Sequence, residues 1–378
     1  MSSPAVRVSS AEHAAPGTEA RAGAARATEL AARPGSAPAP AVCPGCGEAA
    51  AGEARASFHG SELFACVGCD LHYWHPVAMP DASWHESAYQ GRDQTAMPLE
   101  PGHRFFLADA KAPKRGELLD IGCGVGNFLA AARDAGFAVT GIELNQNAVR
   151  FAREHYRLEN VQALRPEEWL AANRGRKYDV VTFFEVLEHQ DNPGGFFETV
   201  AAFVKDGGYI GLSVPNRNRW QKGVETLDYP PNHLTRWSPR ALRGFLERRG
   251  FEVLSMREEP LGARRAAQVM SSGLRTGLVS RVAGGTPPTL ADFAEMPSGQ
   301  MATEVARLGQ DSRQRLASRL VEYKNLAFVP LAGLLLPYLR LRGRTGLYLC
   351  CLARQKQRTR AGGNGAAGAG SGTAGAGV

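Results

Sequence analysis

Along the middle of the chain, hydrophobic and polar positions switch repeatedly between two periods. Residues 117–121 form a short apolar run that reads as a buried strand, and it leads through a glycine-rich turn into a helical pattern ending near Ala135. Phe137–Ile142 reads as a second strand and Gln146–Tyr156 as a helix. Residues 160–163 make a third strand and Tyr178–Phe184 a fourth. Pro193 suits the first turn of a helix. Residues 208–214 give a fifth strand, Pro239–Arg248 a helix and 251–256 a sixth strand. Residues 346–353 are expected to pair back as a seventh strand after a long insertion. Strands alternating with helices predict a doubly wound α/β fold with a mostly parallel, Rossmann-like sheet of seven strands.

The flanks read differently. Residues 1–41 are rich in Ala, Pro, Gly and Ser and hold almost no large apolar side chains, so they are expected to stay disordered; the Gly/Ala tail over 357–378 is expected to do the same. Residues 42–75 form a cysteine-bearing module. A connector over 76–102 follows; Trp84 and Tyr89 within it continue the aromatics Tyr73 and Trp74. The large domain then covers 103–356, with a helical insertion over 260–345. Apolar residues at 326–341 are interrupted by Pro330 and Pro337 and are too few to span a bilayer. They predict a buried packing helix, or a peripheral membrane contact next to Arg340, Arg342 and Arg344. No secretory signal is visible, which points to the cytoplasm.

Composition is ordinary for a globular protein, at 44% hydrophobic and 21% charged residues, but charge is uneven. The net charge of +7 is concentrated in residues 261–360, which hold sixteen Lys/Arg against five Asp/Glu. That surplus suits an anionic partner such as nucleic acid, a phospholipid surface or a phosphorylated substrate, or else forms a solvated basic face. The oligomeric state is not legible.

The most informative segment is Leu118-Leu119-Asp120-Ile121-Gly122-Cys123-Gly124-Val125-Gly126-Asn127-Phe128. Glycines allow a sharp strand-to-helix bend and close approach of a ligand. Asp120, just before the first glycine, would repel a pyrophosphate but suits a ligand bearing an ammonium group. Glu143 ends the second strand, where a carboxylate can accept both hydroxyls of a ribose. Together these describe a seat for a cationic, phosphate-free nucleoside.

On these motifs residues 117–257 resemble the class I S-adenosylmethionine-dependent methyltransferases. The resemblance extends to Phe184-Glu185-Val186-Leu187-Glu188-His189, to Val214-Pro215-Asn216 and to Asn232-His233-Leu234-Thr235-Arg236-Trp237-Ser238-Pro239. It implies that Asp120, Gly122, Gly124 and Glu143 hold S-adenosyl-L-methionine, with Cys123, Asn127 and Glu185 nearby. One departure is visible: the acid common after the third strand in this family is replaced by Ala163-Leu164-Arg165-Pro166-Glu167, which leaves the adenine contacts unassigned.

Four of the seven cysteines fall in two pairs, Cys43-Pro-Gly-Cys46 and Cys66-Val-Gly-Cys69, nineteen residues apart. Two such knuckles predict a structural zinc ribbon with four sulfur ligands and no open position. Similar ribbons precede many bacterial methyltransferases of the group. His59 and His72 are expected at the surface.

Methyl transfer is an in-line displacement, for which Glu188, His189 and His233 are the candidate catalytic residues. Glu185, Glu188 and His189 resemble the ExxEH pattern of ubiquinone-pathway O-methyltransferases. They also resemble that of small-RNA 3′-end 2′-O-methyltransferases, in which a downstream histidine, here matched by His233, completes a magnesium shell. The pattern has two readings: a site for magnesium, zinc or manganese, or a support for the cofactor loop that binds no metal. The function expected is O-methylation of a small-molecule, sugar or lipid-linked acceptor. The alternatives are an RNA methyltransferase and a non-enzymatic zinc-ribbon protein with an inactive methyltransferase fold.

Overall fold

Buried β-branched and aromatic runs drive the central layer. The computed structural model describes residues 42–49, 54–58, 60–77, 94–220, 228–271, 323 and 325–357. The predicted disorder of 1–41 and of the tail beyond 357 lies outside them, as do His59, Trp84, Tyr89 and the middle of the insertion. Strands β1 (Ala56–Phe58), β2 (Ser61–Ala65) and β3 (His72–His75) come first, followed by helix α1 (Pro101–Ala108). Next are β4 (Gly116–Ile121), α2 (Asn127–Asp134), β5 (Phe137–Ile142), α3 (Gln146–Tyr156), β6 (Val161–Gln162) and α4 (Pro166–Ala172). The chain continues through β7 (Tyr178–Phe184), α5 (Pro193–Ala202), β8 (Val204–Pro215), β9 (Thr235–Arg236) and α6 (Pro239–Arg248). It closes with β10 (Phe251–Pro260), α7 (Ala263–Ser271), α8 (Val329–Leu341) and β11 (Thr345–Gln355).

The large sheet has the order β10-β11-β8-β7-β4-β5-β6. All neighbours from β8 to β6 are parallel, and β11 is antiparallel to both β8 and β10. The seven-stranded Rossmann-like sheet expected from the sequence is therefore present, with β11 as the late strand that pairs back. Because strand side chains alternate between faces, Phe183 and Phe184 point opposite ways. Phe184 packs edge-on against Phe128 and His103 on one side, and Phe183 meets Phe196 and Phe197 on the other. Strand order reverses beside β4, so the crevice beyond the carboxyl ends of β4, β5, β7 and β8 is where such a sheet binds ligands.

A second, antiparallel sheet has the order β1-β2-β3-β9. Its fourth strand comes from the far side of the chain: Tyr73 pairs with Thr235 and His72 with Arg236. This placement half-buries His72, against the expectation of a surface residue, and leaves its Nδ1 buried without a hydrogen-bond partner. Burial and the neighbouring guanidiniums of Arg217, Arg236 and Arg55 push its pKa down to about 3.

Helix α8 also departs from expectation. One of its faces packs Ala332, Leu336 and Leu339 against Leu261, Ala266 and Ala267 around α7. Its other face is exposed rather than buried, with Leu334 at 81% and Leu341 at 87% exposure and Leu331 and Tyr338 beside them. Only Ala332 of this helix is fully buried. No helix among the described residues is long and apolar enough to cross a membrane.

Candidate functional site

The turn after β4 is built by three glycines with left-handed backbone: Gly122 at φ +72°, Gly124 at +52° and Gly126 at +82°. The bend is locked to the next strand, because the amides of Gly122 and Cys123 both donate to the carbonyl of Ile142, at 2.8 and 3.1 Å. A side chain at Gly124 would meet nothing within 4 Å, so its surface is open to a ligand. Cys123 is buried beneath the turn. Asn127, the first residue of α2, donates from Nδ2 to the carbonyls of Met97 and Pro98 and so ties the segment before α1 to the turn.

Glu143 reaches back over the same turn. Its Oε2 accepts from the Gly124 amide at 2.9 Å and its Oε1 from the Asn145 amide at 2.9 Å. Each oxygen keeps a lone pair for a further donor, and burial raises the carboxyl above its usual range. Asp120 sits within β4 at 3% exposure and caps no helix; its Oδ1 accepts from Thr182 Oγ1 at 2.7 Å. Burial, opposed by Thr182 and reinforced by the charge of Glu143, pushes it up to about 8. A cationic ligand would restore its ionised form. Thr182, missed in the sequence, is found only by register: it lies opposite Asp120 across the β4–β7 pairing.

Glu185 follows β7 in left-handed backbone at φ +55°, an uncommon state for a non-glycine residue and a mark of a constrained site. Its amide donates to Ser213 O at 3.0 Å, and its Oε1 accepts from Ser213 Oγ at 2.7 Å. Burial pushes the carboxyl up to about 8. Engaged with Ser213, Glu185 does not join the cluster formed by the other three residues of the motif.

That cluster is Glu188, His189 and His233, each offering one ligand atom within 4.8 Å of the others. Glu188 is 1% exposed, and neither of its carboxylate oxygens has a hydrogen-bond partner. Both histidines turn Nε2 toward it, at 3.7 Å from His189 and 3.9 Å from His233. On the opposite side His189 Nδ1 lies 2.5 Å from the carbonyl of Asn232, so Nδ1 carries the proton and donates it. His233 Nδ1 faces Asp228 Oδ1 at 3.6 Å. With their Nε2 atoms converging on an orphaned buried carboxylate, these two histidines and Glu188 are residues that could hold a divalent metal. The donor set, one carboxylate and two imidazoles, fits a cation. It suits zinc or manganese better than magnesium, because the second carboxylate that favoured magnesium, Glu185, is absent from it.

Cys43, Cys46, Cys66 and Cys69 also meet, all four Sγ atoms lying within 4.8 Å of one another. The Cys43–Cys69 and Cys46–Cys66 sulfurs are 3.5 Å apart. Edges of a tetrahedron with ~2.3 Å metal–sulfur bonds are ~3.8 Å, so the residues fit a tetrahedral zinc ion.

Sequence reasoning missed the residues behind His233. Asp228, at 1% exposure, receives Arg219 at 2.5 Å and Arg236 at 3.3 Å. The facing His233 ring and these two guanidiniums hold its carboxyl far below the usual carboxylate range despite the burial. No local motif marks this network, because it depends on where β9 docks.

A doubly wound sheet of this order, with a glycine turn bracketed by Asp120 and Glu143 at its switch point, defines a Rossmann-like domain for a nucleoside cofactor. Residues 89–256 match the family model of a methyltransferase domain. The matched region contains the glycine turn with Asp120 and Glu143, and also Glu188, His189 and His233. Among curated relatives, ubiquinone biosynthesis O-methyltransferase of Thiobacillus denitrificans is 36% identical over 120 residues, covering 30% of this chain and 51% of that protein. The Bordetella pertussis enzyme of the same name is 39% identical over 124 residues, covering 32% and 51%. The chain spans about half the length of the curated relatives it matches. Among solved structures, phosphoethanolamine N-methyltransferase 2 of Haemonchus contortus, in complex with S-adenosyl-L-methionine, aligns at a TM-score of 0.41 and 14% identity. That alignment covers 73% of this chain and 57% of that one.

Proposed function

We propose that the protein transfers the methyl group of S-adenosyl-L-methionine to an oxygen atom of a small-molecule acceptor, sugar- or lipid-linked intermediates included. The observation that carries this reading is the Glu143 carboxylate folded onto the Gly124 amide, with Asp120 buried behind the turn. Asp120, ionised when a cation binds beside it, supplies negative charge where a dinucleotide fold would supply room for phosphates. Bound there, the sulfonium donor provides the electrophilic methyl. Asp120 and Glu143 orient it, and the crevice over β7 and β8 admits the acceptor from the opposite side. The acceptor hydroxyl must lose its proton as the new bond forms, and the Nε2 atom of His189 or His233 takes it. Glu188, His189 and His233 are the residues that would hold a divalent cation, and the chemistry it would supply is Lewis-acid activation of the acceptor hydroxyl. The four cysteines would hold a structural zinc. A site of four thiolates for zinc suits a reducing, cytoplasmic setting.

The test is direct. Calorimetry should find affinity for S-adenosylhomocysteine, and cell extract supplied with labelled donor should yield a methylated small molecule. His189→Ala and His233→Ala should keep product-inhibitor affinity and lose turnover by about 100-fold or more. Absence of binding to both donor and demethylated product would refute the reading.

A further inference from the structure

The four-cysteine module and the acceptor side of the crevice share a structural seam. Strand β3 pairs with β9, and the Trp74 amide donates to Leu234 O at 3.0 Å. Leu234 in turn donates to the carbonyl of Glu188 at 2.8 Å. The indole Nε1 of Trp74, 1% exposed, donates to Asp228 O at 2.9 Å. Its ring packs at a tilt against Phe58 and Tyr229, at centroid distances of 6.4 and 5.4 Å, so aromatic rings of the module grip the residue after Asp228. At the second knuckle Asp70, in left-handed backbone at φ +64°, accepts from the single Nη2 of Arg217 at both carboxylate oxygens, at 2.9 and 2.8 Å, and accepts a further bond from Ser238 Oγ. The other knuckle receives Arg249 on the carbonyl of Gly45 at 3.2 Å. By contrast, the polar contacts of Asp120 and Glu143 described above lie within the large sheet and its turns.

We propose that the four-cysteine module is a built-in part of the acceptor half, with Trp74 as the positioning residue. Trp74 fixes the 228–236 segment so that Asp228 and the Asn232 carbonyl hold the two histidines with Nε2 facing Glu188. This rests on the acceptor-side reading given above, yet it can fail separately. The indole N–H sets the height of Asp228, Leu234 ties the same segment to Glu188, and Asn232 lies between them. Displacing this loop releases both Nδ1 contacts at once, whereas the glycine turn and Glu143 have no bond to it. Loss of the metal that the cysteines fit would act through the same route, by freeing the Cys66–Cys69 knuckle from which Asp70 and β3 continue.

The deciding variant is Trp74→Phe, which keeps an aromatic ring beside Phe58 and Tyr229 while removing the indole donor and part of the buried ring. Nitrogen-15 histidine spectra of the zinc-replete full chain should show Nδ1–H tautomers for His189 and His233 in the parent. In the variant these should become mixed, and the Leu234 amide should exchange about tenfold faster or more. S-adenosylhomocysteine affinity should stay within about twofold, since the donor side is untouched. Should Trp74→Phe fail to fold, Asp70→Asn carries the same expectation, because asparagine tolerates left-handed backbone while weakening the Arg217 contact. Cys66→Ser with Cys69→Ser, which leaves Glu188, His189 and His233 intact, should reproduce the spectrum. Unchanged tautomers and exchange in a folded variant, the cysteine pair included, overturn the proposal. Loss of S-adenosylhomocysteine binding in parallel with the tautomers also overturns it, by showing that the module supports the whole domain. A parent chain that never binds S-adenosylhomocysteine would instead refute the proposed function.

Discussion

Asp120 is the residue whose chemistry decides most. Buried and raised to about 8, it holds a proton in the folded protein that the unfolded chain gives up near ~3.9. The native state therefore binds more protons between those values, and Asp120's contribution makes stability fall as pH rises through that window. A bound ammonium reverses the balance by favouring the carboxylate. Donor binding below pH 8 should thus release a proton, and affinity should climb with pH by up to about tenfold per unit between about 6 and 7.5. Asp120→Asn should weaken donor binding by about 10- to 100-fold, the worth of one charge-assisted hydrogen bond, and flatten that slope. Calorimetry in buffers of differing ionisation enthalpy measures both; a persisting slope in the variant would assign the proton elsewhere. Asp120 and Glu143 were legible because they flank a glycine pattern in sequence. Thr182 and Asp228 were not, because each becomes a partner only through strand register or docking.

Among elements, the β4–turn–α2 unit shows why local pattern was enough for the glycine turn. A buried strand, a forced left-handed bend and a helix are each specified by a few adjacent residues. The last two glycines of the turn nevertheless serve different ends. At Gly126 an added Cβ would sit 2.8 Å from Leu158 Cδ1 and 2.9 Å from Ala152 Cβ, so the position is fixed by packing between α2 and α3. At Gly124 the same atom meets open space where a ligand would lie. Gly126→Ala should cost about 2–4 kcal/mol in unfolding free energy, from left-handed strain plus overpacking. Gly124→Ala should cost about 1–2 kcal/mol from the backbone alone, and it should lose donor affinity out of proportion to that cost. Denaturant unfolding beside calorimetric titration separates the two; equal losses of stability would contradict the assignment. The ExxEH segment was legible only in part. Its spacing suggested four convergent groups, but the left-handed backbone at Glu185 turns that carboxylate to Ser213, which periodicity does not encode.

For the molecule as a whole, hydrophobic pattern yielded the large sheet strand by strand but divided the cysteine module from it too cleanly, since β9 is two residues long and carries no strand signal of its own. Pattern also misjudged α8, for an opposite reason. A helix apolar around its whole circumference reads as buried, yet it can equally serve two partners, one on each face. Here Ala332, Leu336 and Leu339 face α7, while Leu331, Leu334, Leu335 and Tyr338 recur at i, i+3, i+4 and i+7 on the exposed face. Arg342 and Arg344 are exposed just beyond its C-terminal end, in the basic stretch of the chain. An apolar stripe edged by cations suits an anionic lipid surface, with each leucine buried there worth on the order of 1.5–3 kcal/mol. The full-length protein should float with vesicles containing anionic phospholipid and less well with neutral ones, and binding should weaken as salt rises. Leu334→Glu with Leu341→Glu should abolish flotation while leaving S-adenosylhomocysteine affinity and thermal stability unchanged, because both side chains are largely exposed. Flotation that survives both substitutions would place the membrane contact elsewhere, and a loss of thermal stability would show that this face is covered within the chain itself.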